Sequence, residues 1–98
     1  MKIEEIKRKL KEFKEEFKGK YKIKEIGIFG SYVKGEQQET SDIDILVEFE
    51  ETARLSLFDI AGLEIELSDI LGIKVDLIER KNLKPYIRQR ILREVVYL

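Results

Sequence analysis

The sequence predicts a small α/β domain in which apolar strands alternate with amphipathic helices. Hydrophobic residues make up 43% of the 98 residues, which is enough for one core, so a disordered chain is excluded although 40% of the residues are charged. Apolar residues recur at helical spacing in some segments and at strand spacing in others. Glycines separate several of these segments, as expected at the ends of helices and strands.

The first half of the chain predicts a helix, a strand and a short helical turn. Residues 23–29 are rich in Ile and predict the first strand, which Gly30 interrupts, and residues 31–35 predict a helical turn. Residues 35–41 form a polar loop. The first helix is expected to end at Gly19, and its apolar positions are Ile3, Ile6, Leu10, Phe13 and Phe17.

The second half predicts two more strands and two more helices. Alternating apolar residues in segment 42–49 predict the second strand, and residues 73–78 predict the third. A helix between them ends at Gly72, and a last helix begins at Pro85. The element order is therefore α-β-(short α)-β-α-β-α in a single domain, residues 1–98. The apolar positions of these two helices are Leu55, Phe58, Ala61 with Gly62, and Ile65 onward to Leu71, then Ile87, Ile91 and Val95.

The composition excludes several classes of site. The chain contains no Cys and no His, which excludes disulfide scaffolds, zinc fingers, Cys nucleophiles and Ser-His-Asp triads. Any chemistry must depend on carboxylates, hydroxyls, backbone amides, Lys or Arg, with a hard metal ion if a metal is used. The absence of a long apolar run and of a signal-peptide pattern predicts a cytoplasmic protein without a membrane segment.

Charge is distributed unevenly along the chain. Residues 25–79 carry fourteen Asp and Glu against three Lys and Arg, whereas residues 1–24 and 80–98 are both basic. An acidic middle between basic ends is compatible with a cation site flanked by anion-binding surfaces, and equally with solvated helix faces.

A pair of carboxylates lies at the beginning of the second strand. Residues two apart on a strand point to the same face, so Asp42 and Asp44 are expected to project together while Ile43 and Ile45 pack on the other face. Two carboxylates this close repel one another unless a cation lies between them, and Mg²⁺ ions would suit them. The alternative is two aspartates at the exposed start of an ordinary strand.

Gly30-Ser31 lies where the first strand gives way to the helical turn. Free backbone N–H groups there favour an anion, a glycine lets a phosphate approach the backbone, and the Ser31 hydroxyl adds a donor. The alternative is a serine that caps a helix after a turn glycine. Asp76 lies between Val75 and Leu77 in the third strand and could face Asp42 and Asp44 if the second and third strands are neighbours. It could equally lie on a solvated strand face.

Together these residues resemble a known family. Gly30-Ser31, ten intervening residues, Asp42-Ile43-Asp44 and the later Asp76 are similar to the signature of minimal nucleotidyltransferases of the DNA polymerase β superfamily. The resemblance implies a nucleotidyltransferase domain with a small mixed sheet of three or slightly more strands. It implies that Gly30 and Ser31 bind the nucleotide triphosphate, and that three catalytic carboxylates hold two Mg²⁺ ions, namely Asp42, Asp44 and Asp76.

Lys34 is also expected to bind the nucleotide. Relatives often have Arg at this position, and Lys34 keeps the positive charge without the bidentate geometry of a guanidinium.

The resemblance further implies a reaction and a partner. It implies transfer of AMP from ATP to a hydroxyl, expected to be a tyrosine, of a cognate HEPN-type ribonuclease toxin, which makes this chain the antitoxin. One alternative is a transferase acting on RNA or a small molecule, with phosphates bound by basic residues, and another is a binding antitoxin without catalysis. Those basic residues are Lys7, Lys9, Lys11, Lys81, Lys84, Arg88 and Arg90. The apolar residues near position 98 also predict pairing with a second copy or with a partner: Leu92, Val95, Val96, Tyr97 and Leu98.

Overall fold

A computed structural model describes residues 2–98, in which helices cover both faces of a four-stranded sheet. The α/β class and the predicted order of elements are confirmed, and one further strand follows the last helix. No helix in the described part of the chain is long and apolar enough to cross a membrane. In chain order the elements are α1 (Ile3–Tyr21), β1 (Ile23–Phe29), α2 (Ser31–Lys34), β2 (Ile43–Phe49), α3 (Leu57–Leu71), β3 (Val75–Glu79), a 3-10 turn (Arg80–Asn82), α4 (Pro85–Glu94) and β4 (Val96–Tyr97).

The sheet is mixed, with strand order β3-β2-β1-β4. The central strand β2 runs antiparallel to β1 and parallel to β3, and β4 pairs antiparallel with β1. In this register Phe29 of β1 lies opposite Asp44 of β2, which lies opposite Asp76 of β3. The end of β1 and the beginnings of β2 and β3 therefore meet at one edge of the sheet.

The hydrophobic core has two parts, one on each face of the sheet. Because side chains alternate along a strand, Ile45 of β2 packs on one face and Leu46 on the other, and both are fully buried. The larger part lies under α1 and α3, and the smaller part under α4 consists of Phe29, Leu46, Leu83 and Ile91, with partly buried neighbours from α4. The central strand is thus covered on both faces, which fixes its position between the helices.

Two side chains of α3 cover the outer edge of β3. Ser68 Oγ accepts a hydrogen bond from the Val75 amide at 3.0 Å, and Glu64 Oε2 accepts one from the Leu77 amide, also at 3.0 Å. Alternate residues of a parallel strand point their amides away from the neighbouring strand, so these two amides lie on the free side of β3. Helix α3 therefore supplies hydrogen bonds that another strand would otherwise supply.

The predicted end of the first helix at Gly19 is wrong. Helix α1 continues to Tyr21 and ends at Lys22, which adopts a left-handed conformation with φ 53°. The last turn is held by tertiary contacts, since the ring of Tyr21 is buried and its hydroxyl donates a hydrogen bond to Glu66 Oε2 at 2.7 Å. These contacts outweigh the weak helix propensity of one glycine.

The predicted apolar positions of the third helix include residues on its solvent side. Phe58 and Ile65 are exposed, whereas the face of α3 that packs on the sheet carries Leu63, Leu67 and Leu71. The helix also begins two residues later than Leu55, because Ser56 forms a reciprocal capping box with Asp59: the Asp59 amide donates to Ser56 Oγ at 3.1 Å, and the Ser56 amide donates to Asp59 Oδ2 at 2.8 Å. The third strand likewise begins later than expected, at Val75.

The strand β4 was not predicted, and it accounts for the apolar residues near position 98. Val96 pairs with Ile28, and Tyr97 pairs with Gly27. A Cβ atom on Gly27 would lie 2.6 Å from Val95 Cγ2 and 2.9 Å from the Val96 carbonyl oxygen, so β4 can pack only against a glycine there. Three of the residues that suggested pairing with a second copy pack inside the fold: Leu92 and Val95 on the smaller core, and Leu98 on the larger one. The prediction that Val95 belongs to the last helix is wrong, since Val95 directly follows α4 with extended backbone.

Opposite effects are expected when alanine replaces the two glycines discussed above. Gly19→Ala should raise the free energy of unfolding by about 0.5–1 kcal/mol, because Gly19 lies inside α1 with no atom within 4 Å of an added Cβ. Gly27→Ala should lower it by about 1–3 kcal/mol, because the new methyl group overlaps β4. Urea unfolding measures both changes. A loss of stability in Gly19→Ala would contradict the helical position of that residue.

Candidate active site

Three acidic side chains lie at the edge of the sheet where β1 ends and β2 and β3 begin. Asp44 is the second residue of β2, and its strand partner Asp76 is the second residue of β3. Asp42 directly precedes β2 and is exposed, as is Asp76, whereas Asp44 is half-buried. The sequence left open whether β2 and β3 are neighbours, and their parallel pairing shows that they are.

Electrostatic repulsion is concentrated on Asp44. Burial raises the pKa of the Asp44 carboxyl above its usual range, and the negative charges of Asp76 and Asp42 raise this pKa further. Within residues 2–98 no ion pair and no side-chain hydrogen bond involves any of these three carboxylates. The cluster is therefore negative and uncompensated by the described residues.

Gly30 lies directly against the Asp44 carboxylate. Its backbone has φ 78° and ψ −150°, a conformation that side chains oppose, and a Cβ atom built on it would overlap Asp44 Oδ2 and lie 3.1 Å from Asp44 Cγ. Glycine is therefore required at this position for two reasons, the backbone conformation and the closeness of the carboxylate. The turn that carries Gly30-Ser31 therefore lies directly beside the Asp44 carboxylate.

Ser31 begins α2 immediately after Gly30. The Gly30 carbonyl accepts the amides of Val33 at 3.1 Å and Lys34 at 3.2 Å, which closes the short helix and leaves Ser31 at its start. No hydrogen bond to another described residue involves the Ser31 hydroxyl. Ser31 is therefore placed at the same edge as Asp44, with its hydroxyl available.

A tyrosine that sequence reasoning did not select links α2 to the loop before β2. The ring of Tyr32 is buried in the core, and its hydroxyl donates to the Ser41 carbonyl at 3.4 Å. Ser41 in turn exchanges hydrogen bonds with Gln38 through its hydroxyl and its amide. These contacts hold the residue that precedes Asp42. The only signal in the sequence is an aromatic residue beside Gly30-Ser31.

Lys34 lies at the end of α2 and forms a salt bridge with another side chain of the protein, whereas the sequence predicted that it binds the nucleotide. Its Nζ forms a salt bridge with Glu94 Oε1 at 3.1 Å, and Glu94 is the last residue of α4. The structure therefore brings Gly30 and the carboxylates together, whereas Lys34 is held toward α4. Its role in nucleotide binding stays a prediction, and Glu94 is a second residue that sequence reasoning missed, since nothing in its own segment indicates this contact.

The edge of the sheet that carries Asp42, Asp44 and Asp76, called the carboxylate edge, is open to the surface, since Asp42 and Asp76 are exposed. Two cavities of about 410 and 490 Å³ occur in the described part of the chain. The first lies at the opposite end of β2, beside Glu48 and Arg80, and the second lies between the start of α1 and α2. Neither is lined by any of the three aspartates, so whatever binds them does so at an accessible surface.

The donor atoms at this edge suit a hard divalent cation. Carboxylate oxygens are the ligands that Mg²⁺ prefers, and no positively charged side chain among the described residues pairs with these three carboxylates. Among residues 2–98 no three acidic side chains are already arranged as a metal site. The fit to a divalent cation therefore rests on the type of ligand atom and on the pairing of Asp44 with Asp76.

Comparison with known proteins decides the family. The model of the nucleotidyltransferase domain matches residues 10–98, a segment that includes the whole carboxylate edge and Gly30-Ser31. The chain belongs to the nucleotidyltransferase family. This nucleotidyltransferase is 47% identical over 96 residues to the protein adenylyltransferase MntA of Thermococcus cleftensis, an alignment that covers 98% of this chain and 95% of that protein.

Solved structures place the nucleotidyltransferase in the same family. A structure described provisionally as a minimal nucleotidyltransferase matches with a TM-score of 0.81 and 35% identity, covering 100% of this chain and 97% of that one. A chain from the crystal structure of a toxin–antitoxin complex with AMP-PNP matches with a TM-score of 0.74 and 26% identity, covering 92% of this chain and 69% of that one. The predicted fold of a minimal nucleotidyltransferase is confirmed by these matches.

Replacing Asp44 with Asn should stabilise the metal-free nucleotidyltransferase at neutral pH. Because the pKa of Asp44 is higher in the folded protein than in the unfolded chain, the folded state binds more protons between these two values, and stability falls as the pH rises through that window. The repulsion is then fully present at pH 7 and absent below the ordinary Asp pKa of about 3.9.

Urea unfolding without Mg²⁺ at pH 7 and at pH 3 tests this expectation. Asp44→Asn should exceed the wild type in stability at pH 7, and the difference should largely vanish at pH 3. Asp69→Asn, which changes an exposed carboxylate on α3, is the matched control and should show no such difference. Equal or lower stability of Asp44→Asn at pH 7 would contradict repulsion at this edge.

Proposed function

We propose that this nucleotidyltransferase is a magnesium-dependent protein adenylyltransferase that transfers AMP from ATP to a tyrosine hydroxyl of a HEPN-type toxin and so acts as its antitoxin. The observation that carries the proposal is the contact between Gly30 and the Asp44 carboxylate, which unites a candidate phosphate-binding turn with a candidate metal-binding edge. The name of the relative MntA and the toxin–antitoxin neighbour support the choice of acceptor. A cytoplasmic location belongs to the same proposal.

In this proposal the residues at the carboxylate edge have different roles in nucleotide binding, metal binding and proton transfer. Gly30 and Ser31 hold the triphosphate through the backbone and a hydroxyl, and the residues that would hold magnesium are Asp42, Asp44 and Asp76. Bound magnesium supplies positive charge that lowers the pKa of the acceptor hydroxyl and neutralises the leaving pyrophosphate. The hydroxyl oxygen attacks the α-phosphorus, the bond from that phosphorus to the bridging oxygen of pyrophosphate breaks, and Asp76 takes the hydroxyl proton.

The shape of the site favours a macromolecular acceptor. The carboxylate edge is exposed and lies outside both cavities, so a side chain on the surface of another protein can reach it. A small-molecule acceptor has no enclosed pocket for itself among the described cavities, whereas sites for small molecules are usually concave. The acceptor is therefore best supplied by a partner protein that brings its own surface.

Transfer to RNA is supported less well. Several of the basic residues that could hold phosphates have partners within the chain: Lys7 pairs with Glu4 at 3.8 Å, Lys81 pairs with Glu79 at 3.4 Å, and Lys9 donates to the Ile70 carbonyl at 3.3 Å.

A non-catalytic antitoxin would gain nothing from carboxylates that repel one another at an open edge.

Replacing Asp42 or Asp44 should abolish the transfer of AMP. Asp42→Asn and Asp44→Asn each remove a negative ligand from the proposed metal site, and we expect no detectable labelling when the variant is incubated with labelled ATP, Mg²⁺ and a purified cognate HEPN-type toxin. Glu12→Gln, which changes an exposed carboxylate on α1, should give the same labelling as the wild type. Full activity in Asp42→Asn or Asp44→Asn would overturn the proposed roles of these residues.

Replacing Asp76 should separate chemistry from nucleotide binding. In Asp76→Asn the affinity for Mg-ATP should stay within a few-fold, while the single-turnover rate should fall by about 10²–10⁴, the usual worth of activating a nucleophile. A tyrosine has a pKa of about 10, so a higher pH should partly restore the rate by forming phenolate without help. Wild-type rates in Asp76→Asn would show that another group accepts the proton.

A further inference from the structure

Helix α3 exposes apolar side chains on the side that faces away from the sheet. Leu57 is 85% exposed, Phe58 is 90% exposed and Ile65 is 63% exposed. Ala61 and Gly62 lie between them at helical spacing, and these five residues are called the α3 outer face. The opposite side of α3 is buried against the sheet, so the helix is apolar on both sides, as in helices that are covered on both sides.

The charges of α3 argue against a second copy of the chain as the cover. All four charged residues of the helix are acidic, and the helix contains no Lys or Arg: Asp59, Glu64, Glu66 and Asp69. Glu64 is held by the Leu77 amide and Glu66 by the Tyr21 hydroxyl, so pairing of two α3 outer faces across a two-fold axis would bring together the exposed carboxylates of Asp59 and Asp69 from each copy. Like charges brought together in this way oppose association, whereas a partner with basic residues around an apolar centre would be attracted.

The position of α3 connects the outer face with the candidate active site. Ser68 and Glu64 bind the amides of Val75 and Leu77 on the outer edge of β3, and Asp76 lies between those two residues. A protein that covers α3 therefore lies beside the strand that carries Asp76. This placement suits a partner that must present a hydroxyl to the carboxylate edge.

We propose that the α3 outer face is the docking surface for the acceptor protein, which offers apolar side chains bordered by Lys or Arg. The identity of this occupant rests on the proposed function. Phe58 is the anchor, because it is the most exposed large apolar side chain of this face and aromatic side chains usually contribute the most to affinity when a partner covers them. Asp69, on the exposed border beside Ile65, meets the basic rim of the partner.

Matched variants test the docking surface in the full-length chain. A purified cognate HEPN-type toxin is titrated with Phe58→Ser, with Ile65→Ser and with Tyr86→Ser, the last being a control because Tyr86 is an 80% exposed aromatic residue on α4. Each α3 variant should bind at least about tenfold more weakly, with Tyr86→Ser within about twofold of the wild type. Affinity for Mg-ATP should not change in any of them.

Kinetics and salt dependence give further readouts. In the α3 variants the KM for the acceptor protein should rise while kcat stays constant, because docking and chemistry use different residues. Asp69→Lys should slow association and weaken its dependence on salt.

The outcomes distinguish this inference from the proposed function. Wild-type affinity in both α3 variants would overturn the docking surface even if AMP transfer is normal, as would failure of the wild-type chain to bind the protein at all. Binding that depends on Phe58 without any AMP transfer would support the docking surface and overturn the proposed function. Self-association of the chain alone that is lost in Phe58→Ser would assign the α3 outer face to a second copy and overturn the inference.

Discussion

The candidate site depends on the register of β2, because Asp44 of this strand lies opposite Phe29 on one side and Asp76 on the other. A shift of one residue would turn Asp44 toward the larger core and Ile45 toward the edge. The register is fixed by burial on both faces, since Ile45 and Leu46 are covered by helices from opposite sides. The apolar residues of β2 therefore hold Asp44 in position, and the packing of the two residues that follow it, Ile45 and Leu46, opposes the mutual repulsion of the carboxylates.

Gly30 serves both the backbone turn after β1 and the position of the Asp44 carboxylate. The glycine is needed where β1 turns into α2, and the same absent side chain leaves room for Asp44. A substitution there would disturb the backbone and the carboxylate together, so its effect on nucleotide binding could not be separated from its effect on the fold. Ser31 is free of this complication, because its side chain contacts neither the turn nor the carboxylate through a hydrogen bond among the described residues.

The residues of the candidate site could be selected from the sequence because most of them are close along the chain. Gly30, Ser31, Asp42 and Asp44 lie within one segment from β1 to β2, and their spacing carries the family resemblance from which their expected roles come. The contact of Gly30 with Asp44 and the salt bridge of Lys34 with Glu94 depend on how distant segments pack, which no local pattern contains. The apolar period of α3 indicated a helix correctly, but a helix that is apolar on both sides does not reveal which side faces the core. The two residues of β4 are too few to show an alternation, and only the crowding around Gly27 marks their place.

The hydrogen bonds from Ser68 and Glu64 to the outer amides of β3 have a consequence for behaviour at high concentration. A free strand edge with unpaired amides is a template on which other chains can add strands and aggregate. Here α3 occupies those amides on one side of the sheet, and on the other side β4 is only two residues long. The sheet therefore offers little edge to a foreign strand, so the chain can expose apolar side chains on a helix without inviting growth of the sheet into fibres.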